Sequence, residues 1–413
     1  MFSAAREGML LGICPDDRTA KVPLCRADVL RGISSSAENV CAGSAAAHHL
    51  DLALAMNQAA TNSPVKVLVV DDSAFMRTAL TRMIESDHSL HVAGTAKNGL
   101  EALARISELQ PDVVTLDIDM PGLNGLETLK RLMNESPRPV IMVSSLAQQG
   151  AEATLQALEL GAFDFVAKGL NYVALDIIKL QEEVVNKVKA AASSPIRGTR
   201  SRPKQGERPS VLPKPVAGVP VPGIVAIGTS TGGPQALQEI LPSLPSDLPV
   251  AVVVVQHMPP GFTAPLAKRL NELCRVTVQE AEAGIPLVPA HAYIAPAGMH
   301  TTVRRRSESD VFLQVSTTPT KTLHTPSVDV MMSSVAECFR TRAMGIIMTG
   351  MGADGTAGMQ AIFREGGLTV GQDEATCVVY GMPRSCAEAG VLKRVVPLGE
   401  IPRQILAAVG YYT

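Results

Sequence analysis

The chain has 413 residues, 46% hydrophobic and 18% charged, with a formal net charge of −2. That length and hydrophobic fraction call for two or three domains with real cores, and so even a charge balance argues against a protein built to coat nucleic acid. With 3% aromatic residues and no Trp, a stacking platform for single-stranded nucleic acid is excluded as well.

Seven Cys lie at 14, 25, 41, 274, 338, 377 and 386, with no C-x-x-C pair. This argues against a zinc site or a disulfide framework and for a reducing, cytoplasmic setting. No apolar run approaches the ~20 residues needed to cross a bilayer. The opening MFSAAREGMLLGICPDDR is interrupted by Asp16 and Asp17, which makes it a poor secretory signal.

Residues 1–62 show no clean period beyond one helical stretch at 45–60, and they are read as a weakly structured extension. From 65 the pattern alternates. VKVLVV (65–70), HVAGTA (91–96), VVTL (113–116), VIMVS (140–144) and FDFVAK (163–168) are apolar, β-branched strands, and GLEALARISEL (99–109) and 174–192 carry helical periods. Such alternation predicts a parallel sheet covered on both faces over 63–192. Residues 193–222 are rich in Pro, Gly and Ser and read as a flexible linker. A second α/β region occupies 223–413, with strands at IVAIG (224–228), VAVVVV (250–255), HAYIAP (291–296), VFLQV (311–315) and MGIIMT (344–349). Helices are expected near 234–241, 262–273, 328–340 and 356–365.

In the first region the polar residues fall at strand ends: Asp71 and Asp72 after the first strand, Asp117 after the third, Ser144 on the fourth and Lys168 on the fifth. A parallel sheet places all of them on one edge. Three carboxylates there repel one another unless a hard cation such as Mg²⁺ accepts their oxygens. A carboxylate beside Mg²⁺, with an ammonium and a hydroxyl nearby, is a nucleophile toward phosphorus. The competing reading makes Asp72 and Ser73 helix caps and Asp117 a loop residue.

In the second region Ser230 lies in Gly228-Thr229-Ser230-Thr231-Gly232, a G-x-S-x-G turn between strand and helix. The same glycines suit a dinucleotide site, but the next strand ends in Gln256-His257 and not in an acid. His257 is expected on the same edge as Ser230, and Asp354, in GMGADG, follows a third strand. Together they suit a Ser–His–Asp relay in which Ser230 attacks, His257 moves the proton and Asp354 orients the ring.

VLVVDDSAFMR, VVTLDIDMPGLNGLE, VIMVSS and ALELGAFDFVAK resemble a two-component receiver domain over about 64–190. GTSTGGPQAL, VVVQHMPPGFTAPLAKRLN, AYIAPAGMH, TPSVDVMMSSVA, IIMTGMGADGTAGM and CVVYGMPR are similar to the catalytic domain of the CheB family of chemotaxis methylesterases, from about 224 onward. The resemblance implies two doubly wound parallel-sheet α/β domains, a flavodoxin-like receiver and then a Rossmann-like methylesterase domain, joined by the linker. It implies phosphorylation of Asp117 by a CheA-type histidine kinase, with Mg²⁺ held by Asp71, Asp72, Asp117 and the backbone carbonyl of Asp119, and with Ser144 and Lys168 reading the phosphoryl group. It further implies a triad of Ser230, His257 and Asp354, with Met351 N–H and the neighbouring Thr231 at the oxyanion site. The expected substrates are γ-glutamyl methyl esters and specific glutamines on the cytoplasmic helices of methyl-accepting chemoreceptors, and no cofactor is expected in the esterase site. Gly169 replaces the Pro usual after the lysine, Ala353 an Asn, and Thr325 an Arg found in some members. The remaining alternative is a response regulator whose second domain binds a partner or DNA without catalysis.

Overall fold

The computed structural model describes residues 63–145, 148–168, 174–194, 221–307 and 310–411. The 1–62 extension, Gly169 and nearly all of the expected linker lie outside these residues. So does the helix expected at 45–60.

Five strands, β1 (Val65–Val70), β2 (Leu90–Ala96), β3 (Val113–Asp117), β4 (Val140–Ser145) and β5 (Asp164–Lys168), form a parallel sheet in the order β2-β1-β3-β4-β5. The β-branched runs read from sequence are strands because they are covered on both sides. Val67, Val69 and Ile141 face one apolar layer, while Leu68, Val114 and Met142 face the other. Burying each such side chain contributes about 1.5–3 kcal/mol. The chain reverses direction across the sheet between β1 and β3, so the carboxyl ends of those two strands open a crevice.

The second unit begins with β6 (Ile224–Thr229), β7 (Ala251–Gln256), β8 (Thr277–Glu280) and β9 (His291–Ile294). A hairpin, β10 (His300–Arg305) and β11 (Val311–Ser316), follows, and then β12 (Ala343–Ile347), β13 (Leu368–Gln372) and β14 (Arg394–Val396). Seven of these strands make a sheet ordered β14-β13-β12-β6-β7-β9-β8 in which every pairing is parallel. The chain runs outward from β6 in one direction and, after the hairpin, in the other. The switch point is therefore the β6/β12 seam.

The structure departs from the sequence reading at VFLQV. That segment does not join the parallel sheet but pairs antiparallel with β10 as a separate two-stranded ribbon. Its pattern is half-buried and not continuous, as befits a ribbon covered on one side. β8, β10, β13 and β14 were not expected. They are three to six residues long and interrupted by Gly, Thr, Arg or Gln, so their periods are too weak to read.

The two sheet units touch along the Gln148–Glu159 helix, which packs on the Gly233–Ile240 and Thr263–Leu273 helices. Phe165 stacks on Phe262 with ring centroids 4.8 Å apart. Glu159 receives two hydrogen bonds from Arg269, at 2.8 and 3.2 Å, and Gln235 donates to the Ala162 carbonyl.

Candidate functional site

At the carboxyl edge of the five-stranded sheet, Asp71 and Asp117 are almost fully buried. Asp71, Asp72 and Asp117 each offer an oxygen within 4.8 Å of the others. Lys168 reaches between them, its Nζ 2.9 Å from Asp71 Oδ2 and 2.7 Å from Asp117 Oδ2. Burial pushes the Asp117 carboxyl up to about 6. Lys168 opposes the rise through its hydrogen bond and charge, and the charge of Asp71 adds to it. For Lys168, burial disfavours its charge, but the two carboxylates outweigh that and raise it. One ammonium thus neutralises only part of three carboxylates, and this cluster of hard oxygens fits a small divalent cation.

The remaining receiver candidates are placed more loosely. Asp119 gives its N–H to Asp117 Oδ1 at 3.3 Å, while its carboxylate stands outside the cluster. The Ser144 hydroxyl is buried and donates to the Gly150 carbonyl at 3.1 Å, so it faces the first turn of the Gln148–Glu159 helix.

At the edge of the seven-stranded sheet, the register pairs Thr229 with Gln256. Ser230 and His257 therefore step off adjacent strands together, and His257 N–H continues the ladder by donating to the Thr229 carbonyl. Asp354 comes from beyond β12, on the other side of β6. It crosses the Ser230 strand end to meet His257, with Nε2 2.8 Å from Asp354 Oδ2. Both side chains are buried to about nine-tenths, with exposures of 9% and 8%.

Asp354 is fixed as an anion. Its Oδ1 accepts from the Ser327 hydroxyl (2.9 Å) and the Asp329 N–H (3.1 Å), and its Oδ2 from the Val328 N–H (2.7 Å). These donors are the cap and first turn of the Val328–Phe339 helix, whose N-terminus favours negative charge. Burial alone would raise the carboxyl. The hydrogen bond and charge of His257, with the Val328 and Asp329 N–H groups, overcome it and hold Asp354 well below the usual carboxylate range. Asp329 returns the arrangement by accepting from Gly358 N–H at 2.7 Å, in the Thr356–Arg364 helix that follows Asp354. Asp354 thus caps the helix that carries Asp329, and Asp329 caps the helix that follows Asp354.

With an anionic partner, Nε2 of His257 must be the protonated nitrogen. Nδ1 is then the lone pair, and it is buried without a hydrogen-bond partner among the described residues. Ser230 makes no hydrogen bond to the ring in this structure.

The Ser230 turn is tight: Gly233 N–H donates to the Ser230 carbonyl at 2.8 Å. Its left-handed residue is Gly232, at φ +76°. Ser230 itself avoids positive φ, so this G-x-S-x-G segment is not a strained nucleophile elbow. Gln256 Nε2 braces the turn through the Ser230 carbonyl (3.0 Å), and Thr349 Oγ1 does so through the Thr231 carbonyl (2.9 Å). A Cβ on Gly350 would lie 2.8 Å from Ser230 Cβ. The backbone entering Met351 therefore passes directly beside the nucleophile, and Met351 N–H donates to no described residue. Ala353 and Thr325 are exposed and lie off these contacts.

Sequence reasoning missed His324, Ser327, Asp329, Gln256 and Thr349. Ser327 had a readable signal, since it precedes an apolar helical run as an N-cap does. Gln256 and Thr349 sit at strand ends, where side chains of many roles collect.

An acidic edge that fits a divalent cation and an edge that carries Ser230, His257 and Asp354 on one chain are the arrangement of a response-regulated hydrolase. Comparison with known proteins agrees. The CheB methylesterase family matches residues 225–405 and the response regulator receiver domain family matches 67–177. A protein-glutamate methylesterase/protein-glutamine glutaminase 1 from Oleidesulfovibrio alaskensis is 45% identical, over 84% of this chain and 99% of the relative. A namesake from Geobacillus kaustophilus is 47% identical, over 84% and 99%. The Thermotoga maritima CheB methylesterase catalytic domain, a crystal structure, shares 40% identity over 45% of this chain and 97% of that one, with a TM-score of 0.44. The chain belongs to the CheB family of protein-glutamate methylesterase/protein-glutamine glutaminases. Among the described residues no helix is long and apolar enough to cross a membrane.

Proposed function

We propose that Ser230, His257 and Asp354 carry the methylesterase and glutaminase reaction of this family, under the control of Asp117. The observation that carries the reading is the buried His257–Asp354 pair, which leaves Nδ1 without a partner among the described residues, on a residue that steps off the strand next to that of Ser230.

Ser230 Oγ attacks the γ-carbonyl carbon of a glutamyl methyl ester while His257 Nδ1 takes its proton. The oxyanion lies beside the Met351 and Thr231 backbone, where free N–H groups stabilise it. Collapse breaks the C–O bond, His257 returns the proton and methanol leaves. A water then gives its proton to His257 and attacks the acyl carbon; collapse breaks the C–Oγ bond, His257 returns the proton to Ser230 Oγ and glutamate leaves. With a glutamine substrate the leaving group is ammonia. The substrates are helical cytoplasmic segments of methyl-accepting chemoreceptors.

In the receiver unit, taken as residues 63–192 ahead of a catalytic unit at 223–413, Asp117 accepts the phosphoryl group of a CheA-type kinase. Mg²⁺ held by Asp71, Asp72 and Asp117, with the Asp119 carbonyl as a further oxygen, supplies charge neutralisation when bound. Lys168 keeps its ammonium against Asp117 as phosphoryl charge develops. Support for coupling comes from the contact face. The Gln148–Glu159 helix follows the Ser144 strand and packs on the helix that begins just after Ser230. Phosphorylation shifts the population toward a form with this face released.

Methanol release from a methylated receptor fragment, with and without Mg²⁺ and acetyl phosphate, tests the reading. Release that needs Ser230 and rises with phosphodonor is expected. Turnover undiminished in a folded Ser230→Ala protein rejects it.

A further inference from the structure

The segment 322–329 grips both members of the His257–Asp354 pair. Its far end supplies the Ser327, Val328 and Asp329 donors that hold Asp354. Its near end lays the His324 imidazole over that of His257, with ring centroids 4.2 Å apart and planes 20° apart. The segment is tied down by the fully buried imidazole of His300. Ser327 N–H donates to His300 Nδ1 at 3.2 Å, and the opposite nitrogen, which therefore carries the proton, faces Thr322 Oγ1 at 3.2 Å.

We propose that His324 is a positioning residue for the hydrolysis: it fixes the plane of the His257 ring and offers it a neutral aromatic face as it takes up the Ser230 proton. This rests on the catalytic reading above and deepens it. The bond to Asp354 pins one ring atom of His257 but leaves the ring free to tilt about it. The stack removes that freedom and keeps the Nδ1 lone pair aimed, which is the orientational part of catalysis. The imidazolium exists only once the proton has moved, and a cation over a neutral aromatic face is favoured over two neutral rings. The benefit is therefore larger at the transition state than in the ground state and falls on kcat. Burial, then the neighbouring His257, holds His324 down to about 4, and Asp354 and Glu183 act on it in the opposite sense. His324 thus stays uncharged while His257 works.

Three variants of the full chain separate the claims. His324→Phe keeps an aromatic face, His324→Leu keeps bulk without one, and His324→Ala keeps neither. With Mg²⁺ and acetyl phosphate present, methanol release should show kcat lowered about ten-fold in the Leu and Ala proteins, with KM within about two-fold. The Phe protein should stay within about three-fold of the parent. Equal activity of the Leu and Phe proteins reduces His324 to a space-filler and overturns the proposal, as does an unchanged kcat in the Ala protein or a loss confined to KM. If the Ala protein fails to fold, as judged by its melting curve, the size-matched Leu and Phe pair still decides. Ser230→Ala is run alongside. Turnover there removes the catalytic reading itself, whereas an inert Ser230→Ala beside a fully active His324→Ala removes only this inference.

Discussion

Asp117 and Asp354 are both buried carboxylates at the carboxyl edge of a parallel sheet, yet the protein treats them in opposite ways. Asp117 shares a small space with Asp71 and has one lysine and one long backbone N–H for compensation, so it is pushed up to about 6. Asp354 meets an imidazole, a hydroxyl and the two leading N–H groups of a helix, so it is held far down. Burial is the largest influence against ionisation in both places, and the donors around each carboxylate decide the outcome. The first acid is left with unmet charge that a cation or a phosphoryl group can use. The second is satisfied in advance and serves only to hold a base.

The sharpest break of this comparison is at the reacting group. Ser230→Ala should lower methanol release by roughly 10⁵-fold or more, with an unchanged melting curve. Next, Asp354→Asn should lower kcat by roughly 10⁴-fold, because an amide no longer requires the Nε2–H tautomer. A loss under ten-fold there would mean that the helix-capped anion is structural. Asp117→Asn should abolish stimulation by acetyl phosphate. It should also shrink the rise in melting temperature that Mg²⁺ gives the parent protein, since binding to the native state stabilises it by mass action.

Two smaller effects concern the frame. Gly232→Ala forces a side chain into a left-handed conformation and against Val378, whose Cγ2 would lie 2.5 Å away. It should cost about 1–2 kcal/mol in denaturant unfolding. His324 has a native value of about 4 against an unfolded value of about 6.5. The unfolded chain therefore binds the extra proton in that window. The stability tied to the neutral ring is complete above pH ~6.5 and is lost as pH falls through ~4. Melting temperature followed from pH 7 to pH 4 should fall less steeply in His324→Phe than in the parent. Parallel curves would remove the shift.

The acidic cluster and the proposed triad were legible because strand ends are legible. Continuous β-branched runs such as VKVLVV and VAVVVV read as strands buried on both faces, and a parallel sheet sends every carboxyl end to one edge. The residues after those runs, Asp71, Asp117, Lys168, Ser230 and His257, were therefore placed by pattern alone. The hairpin at VFLQV was misassigned because a five-residue apolar run does not say which partner strand will cover it.

What the sequence determined by itself is which side chains stand at the rims of two sheets, since that follows from local period and alternation. What only the tertiary structure decided is how those side chains are charged and aimed. The helix N-terminus under Asp354, the return grip of Asp329 on Gly358 and the imidazole of His324 over His257 all join elements distant in the chain. Those contacts depend on three-dimensional packing, which no local pattern encodes.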